Sequence, residues 1–130
     1  MTLFDGQQNF NDRRSKCQNK EVTDALDFLM LAAANAGPAV EEPRWELKGE
    51  GLKYRGAGGQ FCAIHLREDR VWAHPFHGPA ARSEWHEELT AAGLTFTRGE
   101  TDGPWLSITN VQQAVRFVPF IVRAYDDRSA

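Results

Sequence analysis

Residues 105–125 read WLSITNVQQAVRFVPFIVRAY, and the change of hydrophobic period inside this stretch decides the fold. Trp105-Leu106-Ser107-Ile108 alternates with period two, as a half-buried strand does. Beyond it the period becomes helical: Val111, Ala114, Val115, Val118, Ile121, Val122 and Tyr125 form one wide apolar stripe. Thr109 stands three residues before Gln112, the spacing of a capping box, which starts the helix. Such a stripe has to be covered, and a sheet is its natural cover. Phe117 and Phe120 lie on the flank away from the stripe. They call for a second cover: the first helix, Phe4 or Phe10 of the N-terminal segment, or a second copy of the chain in a homodimer.

Upstream of this unit, Leu94 to Thr97 reads as a short strand. Before it comes a helix with Pro79 in its first turn, carrying Trp85, Leu89 and Ala92 and capped by Gly93. Two hairpins precede that helix. Gln60–Leu66 and Arg70–Phe76 turn at Glu68-Asp69. An even turn puts Cys62, Ile64, Leu66, Val71 and Ala73 on one face and Phe61, Ala63, His65, Trp72, His74 and Phe76 on the other. The earlier hairpin pairs Leu47 with Leu52 and Trp45 with Tyr54. An even turn at Gly56–Gly59 sends Leu52 and Tyr54 to the aromatic face, so either that turn is bulged, which its glycines permit, or both faces of the sheet are largely covered.

A first helix runs from Glu21 to Ala36, with Gly37 as a left-handed cap and Pro38 as the stop. Residues 1–20 are polar and amide-rich and read as a loosely held arm. Residues 21–126 then make one domain and 127–130 a tail. The fold class is α+β: a mainly antiparallel sheet of about six strands, in α-β4-α-β2-α order, packed against N- and C-terminal helices.

The totals limit the functions available. The chain has 130 residues, 42% hydrophobic and 25% charged, an ordinary globular mix for one domain. Its formal charge of −3 and pI of about 5.8 run against a duplex-binding role, which draws on a basic excess. The longest apolar run, Phe28 to Ala34, is far too short to span a bilayer. No basic start followed by an apolar region marks a secretory signal, so a cytoplasmic home is expected. Cys17 and Cys62 do not make a disulfide framework.

The basic strand around Lys53-Tyr54-Arg55, the hairpin of Phe61-Cys62-Ala63-Ile64 and Val71-Trp72-Ala73-His74-Pro75, and the ending Trp105-Leu106-Ser107-Ile108 before a helix resemble the YdhG-like α+β domains of frataxin-like topology. The resemblance covers roughly residues 47–125. It implies a fold and carries no activity and no catalytic residue.

The chemistry-bearing residues cluster in the second hairpin and just beyond it. His74 and His77 form H-x-x-H, with Glu84 and His86 further on, a low-grade zinc pattern without the helical i, i+4 placement of a metalloprotease motif. Cys62 and His65 fall on opposite strand faces, which argues against a thiol–imidazole pair. Gly56-Ala57-Gly58-Gly59 lacks phosphate-loop spacing and reads as a hairpin tip. Trp45 and Trp105 read as core. Trp72 with His74, Phe76 and His77 reads as a functional surface, with Tyr54 and Arg55 beside it and Lys53 adding charge.

These residues point to recognition without a cofactor. The expected function is a small non-enzymatic binding module that recognises another protein, as an inhibitor, adaptor or immunity-type factor does. The alternative is a small anionic ligand held by Arg55 or His74 in a pocket walled by Tyr54, Phe61, Trp72 and Trp85. Behind both stands metal-dependent hydrolysis through His74, His77 and His86.

Overall fold

The computed structural model describes residues 4–47, 51–75, 82–98 and 105–129, and their side chains except those of 82–86, 97–98 and 128–129. Among the described residues are four helices and six strands: α1 (Gln7–Lys16), α2 (Lys20–Ala34), β1 (Arg44–Glu46), β2 (Gly51–Gly56), β3 (Gly59–Leu66), β4 (Val71–Pro75), α3 (Arg82–Ala91), β5 (Thr95–Arg98), β6 (Trp105–Ile108) and α4 (Val111–Ser129). The strands form one antiparallel sheet in the order β1-β2-β3-β4-β6-β5. The expected α+β class is what the chain adopts, with a helix, α1, that the sequence reading did not contain.

Cross-strand register sorts the sheet into two faces. Leu52, Ile64, Ala73 and Leu106 stand in one row across β2, β3, β4 and β6. Leu66, Val71 and Ile108 make a parallel row, and all seven belong to the apolar core. That core includes Val22, Ala25, Leu26 and Leu29 of α2 and Ala114, Phe117 and Ile121 of α4. Each of the Val, Leu, Ile and Phe side chains among them contributes about 1.5–3 kcal/mol by leaving water. The helix ends locate α2 and α4 side by side. Glu21 and Asp24 line a depression with Asn110 and Val111 at one end, and the Tyr125 ring lies against Gly37 at the other. A side chain on Gly37 would enter that ring, which is why glycine stands there. Its φ is not left-handed, contrary to the expected cap, and Asn35 caps α2 instead.

The stripe of α4 is rotated from the one its spacing suggests. Phe117 is fully buried and Phe120 nearly so, whereas Val111, Val115 and Val122 are exposed. Both patterns are helical, and the choice follows size: each phenylalanine removes more apolar area from water than a valine does. The flank assigned to a second cover is thus the chain's own core, and the premise of a helix-to-helix dimer through Phe117 and Phe120 falls. The start of α4 also moves by one residue. Asn110 accepts from the Gln113 amide at 2.9 Å through its Oδ1, and Gln113 reaches back to accept from the Thr109 amide at 2.7 Å. Pro119 lies on the exposed side, where water can serve the Val115 carbonyl that its missing N–H leaves.

Two further expectations are corrected. Trp45 pairs with Leu52, and Arg44 with Lys53, so the first hairpin is shifted by two residues from the expected Leu47–Leu52 and Trp45–Tyr54 pairing, and Leu47 is exposed. Residues 7–16 are not a loose arm. Phe10 is buried in a ring chain with Phe4 at 6.0 Å and Trp45 at 5.4 Å. The Trp45 amide donates to the Asp5 carbonyl at 2.9 Å, and Arg14 pairs with Asp27 of α2 at 2.6 Å. With one buried residue in ten, α1 shows no periodicity for sequence reading to find. At the other end, α3 docks through buried Leu89 and an Arg123–Glu88 ion pair. Gly93, at φ 81°, ends α3 in the left-handed turn expected of it.

Candidate functional site

None of the described helices lies over the second face of the sheet. Ala63 is fully buried yet stands outside the apolar core, and His65, His74 and Ser107 are buried polar residues on the same side. Register places them: Lys53, Ala63 and His74 form one row, and Gly51, His65, Trp72, Ser107 and Thr95 form the next. Trp105, half-buried, completes the first row. Leu106 and Ile108 face the helices, so alternation turns Trp105 and Ser107 the other way.

Trp105 holds the two imidazoles. Its ring stacks on His74 at 4.7 Å with planes 20° apart, and meets His65 edge-on at 4.7 Å and 86°. The His65 ring leans over β2, where a Cβ on Gly51 would come within 2.7 Å of it. There His65 Nε2 lies 3.2 Å from Lys53 Nζ. The sequence His74–Trp105–His65–Lys53 therefore crosses four strands, β6, β4, β3 and β2, without a break. Small residues at Ala63 and Gly51 leave room for these rings.

Positive charge surrounds the rings. Arg44 stands opposite Lys53 on β1. The Arg67 guanidinium lies 4.4 Å from the centroid of the Trp72 ring, a cation–π contact. Arg70 pairs with Asp69 at 2.9 Å and reaches Ser107 Oγ at 3.3 Å. Lys53 makes no ion pair among the described residues. Burial pushes its ammonium below the usual lysine value, while Glu46 and the Cys62 side chain act in the opposite sense.

Of the residues singled out by sequence, Trp72 and His74 stand on this face. Tyr54 does not: it is almost fully buried on the helix side, and burial raises its phenol above the ordinary value. Arg55 is exposed near the end of β2. Phe76 and His77 lie outside the described residues, as do the side chains of Glu84 and His86. Among the described residues no three His, Cys, Asp or Glu side chains converge as a metal set. The pocket of Tyr54, Phe61, Trp72 and Trp85 is not assembled. Tyr54 and Phe61 pack toward α4 and Trp72 lies across the sheet; the Trp85 side chain is not described. Cys62, its thiol pushed up to about 12 by burial, is likewise separated from His65 by the sheet.

Trp105 and the His65–Lys53 contact are what sequence reasoning missed as a site. The signal for Trp105 was present, since its alternation partner is Ser107 and not Leu106. Compared with family models, curated proteins and solved structures, the chain has no significant match.

Proposed function

We propose that this domain is a non-enzymatic binding module that recognises an acidic segment of another protein through the sheet face opposite its helices. One observation carries the reading: the continuous His74–Trp105–His65–Lys53 contact, set among arginines, in a chain whose formal charge is −3. The overall charge disfavours phosphate backbones at large, while the local surplus of Arg44, Lys53 and Arg67 suits carboxylates. Aromatic and arginine side chains are the usual anchors of protein interfaces. Both cysteines are free thiols, which fits the reducing cytoplasm included in this reading.

The test is titration with synthetic peptides rich in Asp and Glu, against Lys-rich and neutral peptides of equal length. Acidic peptides should bind at least tenfold more tightly, with an affinity that falls as salt rises. A Trp72→Ala/His74→Ala variant with an unchanged circular dichroism spectrum should lose that preference. Equal binding by the three peptide classes, or full retention by the folded variant, defeats the reading.

A further inference from the structure

We infer that Lys53 is a carbonyl-capturing amine, with His65 as its proton acceptor and the adjoining rings as a platform for an aromatic aldehyde. This inference goes beyond peptide recognition and concerns one corner of the same face.

The geometry sets Lys53 apart from the other described lysines. Lys16 is exposed, and Lys20 is exposed and paired with Asp24 at 2.8 Å, a partner that holds its proton. Lys53 is half-buried, and its hydrogen-bond partner is an imidazole nitrogen at 3.2 Å. An ammonium beside a carboxylate is held as a cation, whereas one beside an imidazole has a base to receive its proton. Among the described residues, the charged and titratable groups near it are Arg44 and Glu46 on β1, Arg55 on its own strand, and Cys62 and His65 on β3. Burial destabilises the ammonium, while Glu46 and the Cys62 side chain favour it. A desolvated lysine beside a base is the arrangement that makes an amine nucleophilic.

The step balances without oxidant or metal. His65 Nε2 takes one proton from the Lys53 ammonium. The amine lone pair forms a C–N bond to the aldehyde carbon, and the C=O π electrons move to oxygen. A second nitrogen proton passes to that oxygen, giving a carbinolamine. His65 returns its proton to the hydroxyl, which leaves as water. Ammonium and aldehyde thus give a protonated imine and one water. The half-buried Trp105 ring, in contact with His65 at 4.7 Å, offers π surface beside this corner, which favours an aldehyde with a flat aromatic body.

The experiment treats the intact chain with benzaldehyde and cyanoborohydride at neutral pH, then maps the modified lysines by digestion and mass spectrometry. Lys53 should be benzylated at least tenfold faster than Lys16 or Lys20, and its rate should rise at lower pH than theirs. His65→Gln should slow Lys53 at least tenfold and leave Lys16 and Lys20 unchanged. Labelling of Lys53 no faster than Lys16 in the unaltered protein overturns the inference, and so does an unaffected rate in a folded His65→Gln variant. The outcome is independent of peptide binding. Selective labelling without peptide affinity defeats only the proposed function, and peptide affinity with unselective labelling defeats only the amine.

Discussion

Tyr125 stands edge-on to Phe61, with ring centroids 5.3 Å apart and planes at 87°. The register of β2 on β3 shifts between Tyr54 and Arg55, from Tyr54 opposite Cys62 to Arg55 opposite Gln60, which leaves Phe61 as the extra residue of a bulge. Freed from strict alternation, Phe61 packs against α4 instead of joining Ala63 and His65. The Tyr125 hydroxyl accepts from the Ala39 amide at 3.0 Å, so one residue ties α4, the α2–β1 loop and the hairpin together. Tyr125→Phe should destabilise by about 1 kcal/mol, the net worth of one hydrogen bond, because Ala39 is exposed and water can serve its amide. Gly56→Ala should destabilise further, because its Cβ would sit 2.6 Å from the same ring. Urea midpoints of the two variants check both effects.

The rotated stripe of α4 separates two neighbouring positions sharply. Phe117→Ala should lose about 3–5 kcal/mol, as large-to-small changes in a core do. Val115→Ser should stay within about 0.5 kcal/mol, as exposed positions do. Equilibrium unfolding measures both, and the opposite order would put the valines against the sheet.

Residues 105–125 show how far sequence alone reaches. The strand-to-helix switch was legible because period two and period 3.6 are unmistakable over such a length. Which helical flank faces inward was not, because Val and Phe rows are both apolar and the sheet alone chooses between them. Alternation separated Trp72 and His74 from Val71 and Ala73 correctly. It misplaced Phe61, because a bulge is set by α4 packing and leaves no local mark beyond glycines. The candidate site was legible only as aromatic richness near Trp72. The contacts from Trp105 to His65 and from His65 to Lys53 join residues 40 and 12 positions apart, and no spacing rule links them.

Capping at the start of α4 makes a discriminating pair. Asn110→Ala should destabilise by about 1 kcal/mol, since its side chain satisfies the Gln113 amide. Gln112→Ala should have almost no effect, whereas a capping box at Thr109 would give it a measurable one. Thermal melting of both variants decides the matter.

Alkaline stability should be governed by Cys62 first and Tyr54 second. The Cys62 thiol is pushed from 9.0 to about 12 by burial, and the Tyr54 phenol is raised above its ordinary 10.0 for the same reason. In each case the unfolded chain releases its proton earlier, so the folded state holds more protons and stability falls as pH rises. Lys53 acts oppositely. Its value is lowered, so between that value and 10.5 the unfolded chain holds more protons and stability rises. Guanidinium titrations from pH 7 to 11 should show a decline beginning near 9. With Cys62→Ala the onset should move toward 10, and an unchanged onset would remove Cys62 from the account.

β6 enters the sheet between β4 and β5, although β5 precedes it in the chain. The middle of the sheet is therefore completed by residues made after its outer edge, and α4, which packs on β2, β3 and β4, comes later still. During synthesis, the pairing edge of β4 and the apolar side of α2 emerge from the ribosome well before their partners. Folding on the ribosome should then occur in one late step, without a stable early intermediate. A force profile from arrest-peptide fusions of increasing length would show a single peak after residue 125 clears the exit tunnel. An earlier peak, near the release of Pro75, would mean that the first hairpins hold together alone.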